Sequence, residues 1–382
     1  MKHYLKLLFL APVVLTVSGC NWPDPDEVTF SLAKVGENVS FHTEMQDKFF
    51  ADNNYEDITQ YGSGDVENTR PLPIKLSWDV EKSKKYTVNV SENEDMSNAW
   101  TFETSSKEFD LYNCKTGTKY YWTVTAEYPS HTFTSEVESF STKAGGVRNI
   151  YVDGLNNIRD IGGYTLNNGK TIKQGLIYRC AKLNESSVDT IQRTISDAGV
   201  DTMINQLGIK TDVDLRKNAD LDGSNEVGGL TDKSPLGDSV KYVQTPMYYN
   251  GSLVLKGTKA SETTVNQASI KKFFDLLADE SSYPLAFHCT QGKDRTGQIA
   301  YLLETFLGMD QDERTHDYLF TNMSCMGGGA LKATTVANNY AGTNSIFAKY
   351  NSEDLQDGAR QYLLGIGVTQ ENLDKITTIL TK

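Results

Sequence analysis

The sequence predicts two architectures in one chain. Residues 28–143 read as an all-β sandwich, and residues 144–382 as an α/β domain with a central, mostly parallel sheet flanked by helices. Three observations carry this. The first half holds short alternating segments divided by turn residues, the pattern of a half-buried antiparallel strand set. The second half alternates short apolar runs with stretches of helical spacing, the pattern of an α/β sheet with its functional loops at strand ends. Between them, Ala144-Gly145-Gly146 is a linker too short to hold the two parts far from each other. A chain of 382 residues suits two or three domains and can bury a sizeable core.

The chain opens on a targeting segment. Lys2 and Lys6 give a basic start, and Leu7 to Val17 is an apolar run too short to span a bilayer comfortably. Val17-Ser18-Gly19-Cys20 is similar to a bacterial lipoprotein cleavage site. That likeness implies a signal peptide over 1–19, lipid on Cys20 and an acidic tether over 20–27. The alternative is an ordinary secretory signal cut nearby. Asn21 after the cysteine leans toward the outer membrane, so the expectation is an exported, membrane-anchored lipoprotein facing periplasm or surface.

The β region follows. Ile74–Trp78 and Tyr86–Val90 alternate strictly, Lys119–Ala126 is a longer strand, and Glu138–Thr142 closes the set. Trp78, Tyr120 and Trp122 are expected in the core rather than as an exposed sugar platform. The polar stretch Asn38–Arg70 exceeds a normal strand connection and reads as an insertion or loop. Leu76-Ser77-Trp78, Gly117–Trp122 and Phe140-Ser141-Thr142 together resemble a fibronectin type III, immunoglobulin-like domain. The resemblance implies a spacer or docking module with no catalytic constellation.

In the α/β region, Thr171–Arg179 reads as a strand pair, Val188–Ala198 as a helix, Thr211–Arg216 and Tyr242–Thr245 as strands, and Ile270–Leu277 as a helix. The terminal helices are expected over Asp354–Leu364 and Glu371–Leu380, after a flexible Gly327-Gly328-Gly329 connection.

The chemistry concentrates in Tyr283–Gly297, YPLAFHCTQGKDRTG. Leu285-Ala286-Phe287 suits a buried strand, Gly292 a tight turn, and Ile299, Leu302, Leu303 and Phe306 one face of a helix beginning near Thr296. A loop between a strand and a helix presents successive amides and the helix's positive end to a phosphate dianion. Arg295 can grip two oxygens with its planar fork. The same field favours thiolate at Cys289, the nucleophilic form. Thr290, Gln291, Gly292, Lys293, Asp294 and Arg295 form the candidate phosphate-binding loop.

HCTQGKDRTG resembles the active-site signature of the cysteine-dependent protein tyrosine phosphatase superfamily, in its bacterial tyrosine and dual-specificity branch. Asn157–Tyr164, Gly175–Leu183, Val213–Arg216 and Asp317–Asn322 are further likenesses, so the resemblance runs from about Asn157 onward. It implies Cys289 as nucleophile, Arg295 as phosphate ligand and Thr296 as donor to the departing thiolate, with His288, Arg159 and Asp160 supporting the loop. A general acid is needed because an alkoxide or phenoxide leaves poorly without a proton. Asp214 and Asp294 both qualify, with the reading leaning to Asp214. Cys180 reads either as a buried thiol or as a redox partner of Cys289.

The implied activity is hydrolysis of phosphomonoesters through a phosphocysteine, on phosphotyrosine and on phosphoserine or phosphothreonine. Lys293, a second loop cation, suits a phosphoinositide or inositol phosphate as the alternative substrate. A non-catalytic phospho-ligand binder and a rhodanese-like sulfur transferase are the remaining readings. The net charge of −13 and the lack of a basic stripe argue against nucleic acid as a partner. The cysteine spacing fits no zinc pattern, and no cofactor or metal is expected.

Overall fold

The computed structural model describes residues 28–52, 58–62, 66–184, 194–217, 233–249, 254–326 and 341–382. The targeting segment, the tether and the Gly327–Gly329 run lie outside the described residues.

The N-terminal region forms two sheets. One joins β1 (Ser31–Leu32), β3 (Ile74–Asp79) and β6 (Glu108–Leu111). The other runs β2-β9-β7-β4-β5, with β2 at Gly36–Val39, β4 at Tyr86–Ser91, β5 at Trp100–Thr104, β7 at Lys119–Glu127 and β9 at Glu138–Thr142; β8 (Thr132–Thr134) pairs with β7. Alternation along β3 and β4 turns Leu76, Trp78, Tyr86 and Val88 into one apolar core with Tyr120, Trp122, Val124 and Phe140. Each such side chain contributes about 1.5–3 kcal/mol on leaving water. Trp78, Tyr120 and Trp122 are therefore core residues.

The polar stretch 38–70 is more than a loop. Thr43 and Gln46 cap each other's backbone amides in a reciprocal box, which starts α1 (Glu44–Ala51). The apolar face of α1 turns away from the β core. Phe49, with Tyr61, is buried in the core of the C-terminal region. There Phe49 meets His316 edge-on at 5.7 Å, and Phe50 stacks on Phe320 at 5.7 Å. Gln46, Phe49 and Tyr61 thus bind the insertion to the α/β part of the chain.

The C-terminal sheet has the order β10-β11-β12-β15-β13-β14. Its strands are β10 (Arg148–Asn149), β11 (Arg159–Asp160), β12 (Ile177–Cys180), β13 (Thr211–Asp214), β14 (Lys241–Gln244) and β15 (Leu285–His288). The last four are parallel, and β10 and β11 join antiparallel at one edge. In register, Cys180 and Asp214 flank His288 on either side. The carboxyl ends of three neighbouring strands therefore open at one place, where ligands of open α/β sheets bind.

Helix boundaries depart from the sequence pattern in informative ways. The helix of Asp294–Leu307 begins two residues before Thr296, so Arg295 and Thr296 lie in its first turn. Its residues from Arg295 to Leu307 are all buried, which makes it central rather than amphipathic. The helix before β15 spans Ala260–Leu277, longer than expected, because the Glu262 side chain caps its start. Of the helix expected over Val188–Ala198, residues 188–193 lie outside the described residues. Residues 194–196 are not helical, and the helix starts at Asp197 behind a Ser196 cap. The terminal helices form at Leu355–Gly365 and Gln370–Leu380.

Candidate active site

The site is built on the turn between β15 and the Asp294–Leu307 helix. Three consecutive loop carbonyls are drawn outward. Thr290 O accepts the amide of Lys182 at 3.1 Å, Gln291 O accepts Asn157 Nδ2 at 3.0 Å, and Gly292 O accepts Arg179 Nη2 at 3.0 Å. A trans peptide points its N–H opposite to its C=O. The amides of Gln291, Gly292 and Lys293 therefore face the other way, toward the inside of the loop. Gly292 permits this turn: its φ is +67°, and a Cβ there would sit 2.4 Å from the carbonyl oxygen of Cys180. The hydroxyl of Thr290 is buried without a hydrogen-bond partner.

Cys289 is the first residue after β15 and is buried. Burial alone would push its thiol up. The Arg295 guanidinium, with the hydroxyl and amide of Thr296, outweighs burial and brings the pKa below the ordinary thiol value. Arg295 is itself buried, with Nη1 donating to Met247 O at 3.4 Å. Cysteine sulfur and guanidinium thus share one small volume. His288 is fully enclosed, with Nε2 3.0 Å from Asp212 Oδ1. Burial would lower its pKa, but Asp214 and Asp212 overcome that and raise it. Cys180 is buried, and burial pushes its thiol well up.

Behind the loop lies a closed charge network. Arg159 donates from Nε to Asp317 Oδ1 at 2.7 Å and from Nη1 to Asn157 Oδ1 at 2.7 Å. Arg179 pairs with the other oxygen of Asp317 and reaches Gly292 O. Asp317 is held below the usual carboxylate range by the two arginines, against the upward push of burial. Arg159 thus stands one residue behind the loop. Asp160 does not join it: its carboxylate receives Arg148 Nη1 at 2.6 Å and the amides of Gly162 and Gly175. Arg148 in turn donates to the carbonyls of Asn113 and Cys114, so Asp160 braces the contact with the N-terminal region.

The two acid candidates sit in opposite surroundings. Asp214 is wholly buried and accepts the amide, Nε and Nη2 of Arg216 and the hydroxyl of Tyr242 at 2.9 Å. Burial would raise its pKa, but Arg216 and His288 bring it down to about 2. Asp294 is half-buried beside the loop, and among the described residues it has no hydrogen-bond partner. Burial raises its pKa, with Lys293 and Arg295 offsetting only part. Its charge is felt at Cys289.

Sequence reasoning gave no role to Arg179, Lys182 or Asp317, and touched Asn157 only as part of the Asn157–Tyr164 segment expected to shape the loop. The signal was present for two of them: a charge inside the apolar run Ile177-Tyr178-Arg179-Cys180, and an acid in a helix otherwise ending in Tyr318-Leu319-Phe320. Buried charges need partners, and these two are each other's.

Comparison with known proteins bears on the family of the chain. A candidate tyrosine-protein phosphatase of Cupriavidus necator is 25% identical over 194 residues, covering 46% of this chain and 64% of that protein. A tyrosine-protein phosphatase of Nostoc commune is 30% identical over 135 residues, covering 32% of this chain and 44% of that one. The chain thus spans less than two thirds of either relative. Among solved structures, the catalytic core of the PP-IP phosphatase Siw14 of Saccharomyces cerevisiae, in complex with citrate, aligns at 13% identity and a TM-score of 0.27, covering 50% of this chain and 87% of that one. A TM-score this low establishes no shared fold. The sequence pattern of the tyrosine phosphatase family matches residues 150–382, more than half of the chain, and the chain belongs to that family.

Proposed function

We propose that the protein hydrolyses phosphomonoesters, phosphotyrosine foremost, through a cysteinyl-phosphate intermediate. The observation that carries this is the loop whose carbonyls are pulled outward around a thiol of lowered pKa beside Arg295. Inward amides and the guanidinium bind the phosphoryl oxygens and stabilise the charge of the transition state. The Cys289 thiolate attacks phosphorus, the bond from phosphorus to the ester oxygen breaks, and Asp294 gives its proton to the leaving oxygen. Water then attacks the phosphocysteine, loses a proton to the Asp294 carboxylate, and the thiolate departs toward the Thr296 hydroxyl. Asp294, rather than Asp214, takes the acid role because its surroundings raise its pKa while those of Asp214 lower it.

The test is Cys289→Ser in the full chain. Turnover of an aryl phosphate is expected to vanish while the phosphate ligand still binds, and acid quenching of the wild type should trap phosphorus on Cys289. A wild type without turnover, or an active Cys289→Ser, overturns the reading.

Lys293, partly exposed at the helix start, favours a second reading in which an inositol phosphate or phosphoinositide is the substrate. Relative kcat/KM for phosphopeptides against inositol phosphates and lipid vesicles decides between them. In either case the N-terminal sheets are read as a fibronectin III-like module. The order β1-β3-β6 against β9-β7-β4-β5 supports this, as does the Tyr120 hydroxyl accepting the Lys115 amide at 2.8 Å. The basic start, apolar run and Cys20 support export and lipid anchoring, and metabolic labelling with a fatty acid lost in Cys20→Ala would test it.

A further inference from the structure

Glu67 belongs to the N-terminal insertion, yet its carboxylate lies behind the phosphate loop. Oε1 accepts the amide of Asn157 at 3.2 Å and the hydroxyl of Thr69. Oε2 accepts the Ser324 hydroxyl at 2.7 Å, and the amide and thiol of Cys325, each at 3.2 Å. One carboxylate therefore gathers donors from three separate stretches of chain.

One of these stretches touches the loop, and another packs on a residue beside it. Asn157 is wholly buried at φ +53°, the left-handed region that asparagine enters more readily than other non-glycine residues. Its side chain holds Gln291 O through Nδ2 and is itself fixed by Arg159. The path from Glu67 to the loop carbonyl runs through this one residue. Cys325 and Met326 pack on Ala181, the neighbour of the Cys180 carbonyl against which Gly292 nests.

The turn that carries Glu67 is braced on both sides. The Asn68 amide donates to Met323 O at 2.8 Å. Gln46 Nε2 donates to Asn68 O at 2.8 Å and Arg70 O at 3.0 Å, and Asn149 Nδ2 donates to Thr69 O at 2.9 Å. The carboxylate is thus held in place before any substrate arrives.

We propose that Glu67 is a positioning residue for the phosphate loop, fixing the Gln291 carbonyl through the backbone of Asn157, so that the N-terminal insertion completes the site. This rests on the phosphatase reading above. Without the carboxylate, the buried Asn157 amide loses its acceptor, and Asn157 Nδ2 holds Gln291 less firmly. The loop amides then drift from the oxyanion they must meet, and small misplacements cost rate steeply.

The experiment compares wild type, Glu67→Gln and Glu67→Ala in the full chain. It measures kcat and KM on an aryl phosphate, tungstate affinity by calorimetry, and the melting temperature. Glu67→Ala is expected to lower kcat and tungstate affinity by roughly 10-fold or more, with KM for the aryl phosphate changed far less. Glu67→Gln should fall between, because its carbonyl still accepts from Asn157. Should Glu67→Ala fail to fold, Glu67→Gln decides alone. Both quantities within two-fold of wild type in the folded variants, whatever the melting temperature, would overturn the proposal. Wild-type protein that binds tungstate but turns nothing over would sink the phosphatase reading, while the tungstate comparison would still judge Glu67.

Discussion

The strand end at Asp214 and the helix start at Asp294 hold the same side chain at the carboxyl end of one sheet, and the two carboxyls behave oppositely. At the strand end, Arg216 folds back on its neighbour two residues earlier and Tyr242 closes the other side. At the helix start the carboxyl is partly withdrawn from water without gaining a bonded donor among the described residues. The strand-end acid has its oxygens occupied by Arg216 and Tyr242, and the helix-start acid has no bonded donor among the described residues. A titratable residue near a nucleophile is thus assigned by what already occupies its oxygens.

The comparison can be broken most sharply at Asp294. Asp294→Asn should lower kcat on alkyl or phenyl phosphate by roughly 100-fold or more, and by far less on a substrate whose leaving group needs no proton. The pH profile gives the sign. Turnover needs Cys289 deprotonated, so activity rises with pH through its lowered pKa, and needs Asp294 protonated, so activity falls as pH rises through its raised pKa. Asp294→Asn should erase the falling limb alone; a profile that keeps it would return the acid role to another group.

Next in size is Asp214→Asn, which breaks a buried ion pair and should cost about 3 kcal/mol of stability, read by denaturant titration. Its kcat per folded molecule should change less than that of Asp294→Asn. The folded pKa of Asp214, about 2, lies below the ordinary carboxylate value. Its contribution is therefore complete above about pH 4 and is lost as pH falls toward 2. Acid unfolding of the wild type should be steeper across that window than that of the variant. The smallest effect is expected from Tyr242→Phe, which removes one donor from Asp214 and should cost about 1–2 kcal/mol with kcat unchanged.

The chemistry-bearing loop was legible because its parts are local: a strand, a glycine at positive φ, and a helix within Leu285–Leu307. The difference between the two acid candidates was not, because Asp214 and Asp294 differ only in neighbours that sequence spacing does not order; Tyr242 and His288 reach Asp214 through the sheet register. The support network was hidden for the same reason. Asp317 meets Arg159 and Arg179 across some 140 to 160 positions of chain. The helix at Glu44–Ala51 was missed although Thr43 and Gln46 spell its cap, since the polar composition around it spoke for a loop. Its partner surface lies in the other half of the molecule.

That last contact bears on how the protein can be divided. The family pattern starts at residue 150, but the apolar interior it belongs to is finished by Phe49 and Tyr61, and Arg148 is anchored on carbonyls at 113 and 114. A polypeptide trimmed to the family boundary would expose Phe320 and His316 to water and, by losing Arg148, leave the buried Asp160 carboxylate without its guanidinium. The heritable segment and the autonomous folding unit do not coincide here, so shuffling the two halves between relatives would have to carry residues 38–70 along with the enzyme half.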